Sequence, residues 1–193
     1  MTGQPLIYAD FPDPDVIRVG KKYYMITTTM HMFPGGDLLE SEDLVSWRLC
    51  SHVFEHPEGT PARRLQNGTV YGQGMWAATL RYHSGRFYVI FVSNDIKAQD
   101  VSFLFTAENI EGPWKKRKIS GFYHDCSLLF DEDRAYLVSG NGQLRLTEML
   151  PDLSGPKPSG TDKIIVTDTD YVGLKCEGSH FYKINNKYYI FQQ

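Results

Sequence analysis

The sequence predicts an all-β chain folded as blades of a β-propeller, and three observations predict it. Short stretches rich in aromatic and β-branched residues recur along the chain, at 23–29, 87–93, 101–106, 135–138, 144–147 and 188–191, with Gly, Asn, Asp and Lys between them. No stretch has the apolar spacing of an amphipathic helix of three turns. A hairpin of one design recurs four times at the spacing of propeller blades.

The recurring hairpins are DPDVIRVGKKYYMI (13–26), AATLRYHSGRFYVI (77–90), DCSLLFDEDRAYLV (125–138) and EGSHFYKINNKYYIF (177–191). Each is an alternating strand, a polar turn and an aromatic strand. Their matching tyrosines, Tyr24, Tyr88, Tyr136 and Tyr189, lie 64, 48 and 53 residues apart. A second element follows the first three hairpins: SEDLVSW (41–47), TAENIEGPW (106–114) and TEMLPDLSGP (147–156). Two registered elements per unit place blade starts near residues 12, 75, 123 and 175. Residues 55–73 are polar, Gly-rich and free of strand pattern, which reads as a loop between blades one and two and a candidate pocket rim. No linker or second domain interrupts residues 1–193.

Composition excludes several function classes. The net charge of −3 offers nucleic acid or an anionic membrane no bulk attraction. The basic run at Lys115, Lys116, Arg117 and Lys118 reads as a solvated strand end. Cys50, Cys126 and Cys176 are odd in number and far apart, so neither a disulfide framework nor a zinc site is expected. The opening MTGQPLIYADF has neither a basic start nor a long apolar run, so the expected location is cytoplasmic, or exported if a signal has been removed. Asn67-Gly68-Thr69 matches a glycosylation triplet of the kind that arises by chance. Gly-rich phosphate loops, nucleotide fingerprints and redox motifs are not found.

The chemistry sits at one repeat position. Asp13 and Asp125 lie 11 residues before Tyr24 and Tyr136, and Glu177 lies 12 before Tyr189, in a hairpin read as one residue longer. Blade two carries Ala77 there. Innermost strands line a propeller's axis, so equivalent positions at their starts converge. Converging carboxylates repel unless one holds a proton, which suits glycoside cleavage by an acid and a base. Taken singly, each residue has a plain structural reading: Asp13 in a Pro-Asp-Pro turn, Asp125 after a His, Glu177 before a Gly. Taken together, the structural reading is the weaker one.

The segment FPDPDVIRVGKKYYMITTTMHMFPGGDLLESEDLVSW resembles the opening blade of glycoside hydrolase family 43, the β-xylosidase and α-L-arabinofuranosidase group. MWAATLRYHSGRFYVIFVSND, YHDCSLLFDEDRAYLVSGNGQLRLTEMLPDLSGPK and LKCEGSHFYKINNKYYIF resemble its second, third and fourth blades. The resemblance implies a five-bladed β-propeller, of which this chain supplies about three and a half blades. It implies an inverting exo-glycosidase acting on xylo- or arabino-oligosaccharides. Asp13 matches the general base, Asp125 the carboxylate that orients the acid and raises its pKa, and Glu177 the general acid. Trp76 and the turn holding Met30, His31 and Phe33 match positions that shape the sugar subsite. His124 and His180 flank the carboxylates as expected hydrogen-bond partners.

Departures from the pattern are Cys126 and Ala78 where Pro is common, and Asp15 where Ser is common. Cys126 reads as a small buried hydrophobe pointing away from Asp125. No cofactor or metal is required by this chemistry, although some members hold calcium through a His outside this stretch. An open ring exposes strand edges, which predicts self-association. Two other readings stand beside the first: a non-catalytic carbohydrate-binding propeller, and a retaining fructan-type enzyme on a five-bladed fold.

Overall fold

The structure, a computed structural model, describes residues 5–56, 60–93, 101–169 and 173–192. Three four-stranded antiparallel sheets and one hairpin follow one another along the chain. The first holds β1 (Asp15–Val19), β2 (Lys22–Thr27), β3 (Gly35–Ser41) and β4 (Arg48–Phe54). The second holds β5 (Thr79–His83), β6 (Arg86–Val92), β7 (Val101–Ala107) and β8 (Lys115–Ser120). The third holds β9 (Ser127–Asp131), β10 (Arg134–Ser139), β11 (Gln143–Met149) and β12 (Asp162–Thr167). β13 (His180–Ile184) and β14 (Lys187–Phe191) form the hairpin.

The four leading hairpins are copies in register. Val19 pairs with Lys22, His83 with Arg86, Asp131 with Arg134 and Ile184 with Lys187, so each turn has two residues. Ser84-Gly85 and Asn185-Asn186 hold positive φ at both positions, the geometry whose twist matches that of paired strands. The matched tyrosines face the third residue of each inner strand: Ile17, Arg81, Leu129 and Tyr182. The fourth hairpin is therefore no longer than the others. The extra residue that separates Glu177 from Tyr189 lies ahead of β13, because Asp13 and Asp125 precede their strands by two residues and Glu177 by three.

The second repeated elements close the third strand of each sheet onto the fourth. The Trp47 indole N–H donates to the Leu44 carbonyl and that of Trp114 to Ile110, both at 3.2 Å. The basic run lies on β8, where Lys115 to Lys118 are exposed. Residues 55–73 form no strand among the described residues and contain a single 3-10 turn, Ala62–Arg64; residues 57–59 lie outside the description.

Packing is between sheets. Ile26, Leu38, Leu80 and Phe91 join the first to the second. Ile90, Leu104, Leu128 and Met149 join the second to the third. Leu129, Val138 and Phe181 join the third to the hairpin. The inner strands β1, β5, β9 and β13 stand side by side in that order. The outer edge of β14 pairs with no strand among the described residues, and Tyr188, Tyr189 and Phe191 on it are exposed.

Candidate active site

Each functional side chain enters the site just ahead of an inner strand, and a repeated backbone bond holds Asp13 and Asp125 there. The first amide after β2, on Thr28, donates to the Pro12 carbonyl at 3.1 Å. The first amide after β10, on Gly140, donates to the His124 carbonyl at 3.0 Å. Pro12 and His124 immediately precede Asp13 and Asp125. Both aspartates take left-handed backbone conformations, φ 49° and 45°, which Asp tolerates better than most side chains. Before β13 the left-handed slot two residues ahead of the strand is filled by Gly178, φ 68°. Glu177 therefore reaches the site from one residue further upstream.

Asp13, Asp125 and Glu177 line one cavity of about 60 Å³ together with Asp15, Ala77, Cys126 and His180. Ala77 at the blade-two position leaves that wall without a charge. Burial, followed by the nearby Glu177 charge, pushes the Asp13 carboxyl above its ordinary value. Asp125 is raised too: burial dominates, His124 opposes it, and the Glu177 and Asp13 charges add to it. The Gly178 amide bonds the Asp125 carboxylate.

His124 stands between the two carboxylates, with Nε2 3.3 Å from Glu177 Oε2 and 3.6 Å from Asp125 Oδ2. Its ring lies 5.4 Å edge-on from Trp76 and 6.4 Å from Phe122. The Asn141 side-chain amide also donates to Glu177 Oε2. Nothing in the sequence singled out Asn141, which lies in the loop between β10 and β11, one blade away from the residue it holds.

The ligand atoms of His124, Asp125 and Glu177 lie within 4.8 Å of one another and could hold a metal. One imidazole and two carboxylates do not match calcium, which takes six or more oxygens. Burial, with the Asp125 charge, pushes the Cys126 thiol up, which argues against thiolate chemistry there.

The other predicted sugar contacts stand back from this cavity. Trp76 is not among its lining residues, although it directly precedes Ala77; its indole N–H donates to the Gly72 carbonyl at 3.3 Å. His31 Nδ1 accepts the Gly72 amide at 3.2 Å, and its ring lies 4.6 Å from Tyr71. Met30 takes the Met75 amide on its carbonyl, and Met30 and Phe33 are exposed. His180 lines the cavity, and its Nδ1 lies 3.3 Å from Asp15 Oδ1. Sequence reasoning missed Arg81, which reads as one polar position in an alternating strand but is buried against the axis, bonded to Asp15 at 2.6 Å.

The chain is similar to proteins of one known family. The family model described as glycosyl hydrolases family 43 matches residues 2–192. A non-reducing end alpha-L-arabinofuranosidase of Bacteroides ovatus is 36% identical over 189 residues, covering 96% of this chain and 34% of that protein. A beta-xylosidase of Formosa agariphila is 33% identical, covering 97% of this chain and 33% of that protein. The solved structure of a bifunctional GH43-CE protein of Bacteroides eggerthii superposes with a TM-score of 0.89 at 41% identity, over 97% of this chain and 25% of its own. The chain thus spans about a third of the length of these curated relatives, and its sheets are blades of the β-propeller they share. By the extent of the family match and the superposition of its blades, the chain belongs to glycosyl hydrolases family 43.

Proposed function

We propose that this chain carries the catalytic centre of an inverting exo-glycosidase that releases terminal xylose or arabinofuranose from hemicellulose oligosaccharides. The observation that carries the reading is that Asp13, Asp125 and Glu177, one from each of three blades, line a single cavity. In it Glu177 gives its proton to the glycosidic oxygen as the C–O bond breaks. Asp13 takes a proton from the water that attacks the anomeric carbon from the opposite face. Asp125 orients Glu177 through the shared His124, and the Asn141 amide fixes one Glu177 oxygen. The chemistry needs no cofactor. Related proteins named as arabinofuranosidase and beta-xylosidase support the substrate class.

The test is hydrolysis of aryl β-D-xyloside and aryl α-L-arabinofuranoside by the 193-residue chain beside Glu177→Gln. The expected result is turnover that falls about 10²–10⁴-fold in the variant, the usual contribution of a positioned acid. The loss should be larger for an alkyl than for an aryl leaving group, because the poorer leaving group depends more on the proton. The first-formed anomer, read by NMR, should be inverted; a retained anomer would favour the fructan-type reading. Oligosaccharide binding without turnover in either protein would favour the non-catalytic binding reading.

A further inference from the structure

One polar layer runs through all four inner strands directly beneath the carboxylates. The side chain of the first residue of each of the first three inner strands accepts the amide of the second residue of the next. Asp15 Oδ2 takes Leu80 N at 2.8 Å, Thr79 Oγ1 takes Leu128 N at 3.2 Å, and Ser127 Oγ takes Phe181 N at 2.9 Å. These rungs fix each blade's height relative to its neighbour. Arg81 braces them: it donates to Asp15 Oδ2, to the Leu128 carbonyl at 2.5 Å and to Ser127 Oγ at 2.6 Å. All of these groups are buried. His180 closes the layer from β13 back to Asp15 on β1.

The layer stands at fixed chain distances from the three carboxylates: Asp15 is two residues after Asp13, Ser127 two after Asp125 and His180 three after Glu177. We infer that this layer, Asp15, Thr79 and Ser127 braced by Arg81, is the positioning device that sets the spacing of Asp13, Asp125 and Glu177; the inference rests on reading those three as the reacting groups. A guanidinium suits the task because its planar fork reaches several acceptors at once, which a lysine cannot reproduce. Loss of a rung lets one inner strand shift against the next, and a misplacement of about 1 Å is enough to cost about 10²-fold in rate.

Ser127 is the most selective point of attack, since its hydroxyl serves both β13 and Arg81 while the Asp15–Arg81 pair stays intact. The readout is the split between kcat and KM for the 193-residue chain on an aryl glycoside, with circular dichroism confirming the fold of each variant. Ser127→Ala should lower kcat about 10²-fold while KM changes little, because the sugar still binds but the carboxylates stand about an ångström out of place. Leu153→Ala, a core truncation outside the layer, should lower Tm yet leave both constants near those of the parent. Should Ser127→Ala not fold, Ser127→Cys keeps the volume with a weaker acceptor and tests the same point. A folded Ser127 variant with the parent's kcat would overturn the positioning role and leave the layer merely structural. No turnover by the parent chain would overturn the reading of the three carboxylates as the reacting groups, and this inference with it.

Discussion

Asp15, buried in the polar layer, and Asp125, half-buried just above it, are shifted in opposite directions, and the difference lies in what faces them. Asp15 is desolvated, which pushes its carboxyl up, but Arg81, the His180 bond and the Leu80 amide outweigh burial and hold it below the ordinary range. Asp125 has only His124 and one amide to offset burial and two like charges, so it stays raised. A carboxyl raised in the folded state binds more protons folded than unfolded between its two pKa values, so stability falls as pH rises through that window. At neutral pH Asp125 therefore costs stability. Asp125→Asn should raise Tm at pH 7 by a few degrees, on the scale of about 2–4 °C per kcal/mol for a chain of this size, while removing the proposed turnover. The gain should vanish below about pH 4, the ordinary Asp range. Calorimetry of both proteins across that interval decides it, and an unchanged or lower Tm at pH 7 would contradict the reading.

Among the elements, the loop joining β10 to β11 carries most of the support for Glu177. Gly140 tethers it to His124, Asn141 reaches Glu177, and the Gly142 amide donates to the Cys176 carbonyl at 2.9 Å. Gly140 has φ 138°, and a methyl added there would overlap the Gln143 carbonyl, which is backbone and cannot move aside. Gly140→Ala should cost more than about 1 kcal/mol of stability, with loss of turnover beyond what that destabilisation explains. Urea unfolding alongside kinetics separates the two effects. Nothing local announced this loop, since SGNGQ reads as an ordinary turn. The hairpins were legible because alternation and turn residues are encoded within about a dozen neighbouring residues. Glu177 was legible as a repeat position, but its offset was not: one added residue can sit inside a hairpin or ahead of it, and only the pairing of Ile184 with Lys187 decides.

At the scale of the whole molecule, the sheets cohere through apolar layers between them and through a buried ion pair at the axis. The apolar layers followed from strands rich in Ile, Leu, Phe and Val, so a packed all-β architecture was readable in advance. The axial group was not: Asp15 and Arg81 lie 66 residues apart in sequence and become partners only when the first two blades stand side by side. That pair dictates how the molecule meets acid. A carboxyl held low in the folded state contributes stability above its unfolded value, near pH 4, and loses it as pH falls through the folded value. Breaking one side of a buried pair costs about 3–5 kcal/mol, because the remaining charge is stranded. Asp15→Asn should therefore lower Tm sharply at neutral pH, leaving Arg81 unpaired. In the parent chain, protonation of Asp15 strands Arg81 in the same way, so the gap between the two proteins should close as pH falls from about 4 toward 2. Melting curves of both proteins at half-unit steps measure that gap directly. A gap that stayed constant across the range would mean that Asp15 acts through shape and hydrogen bonding alone, and that the charge at the axis does not hold the blades together.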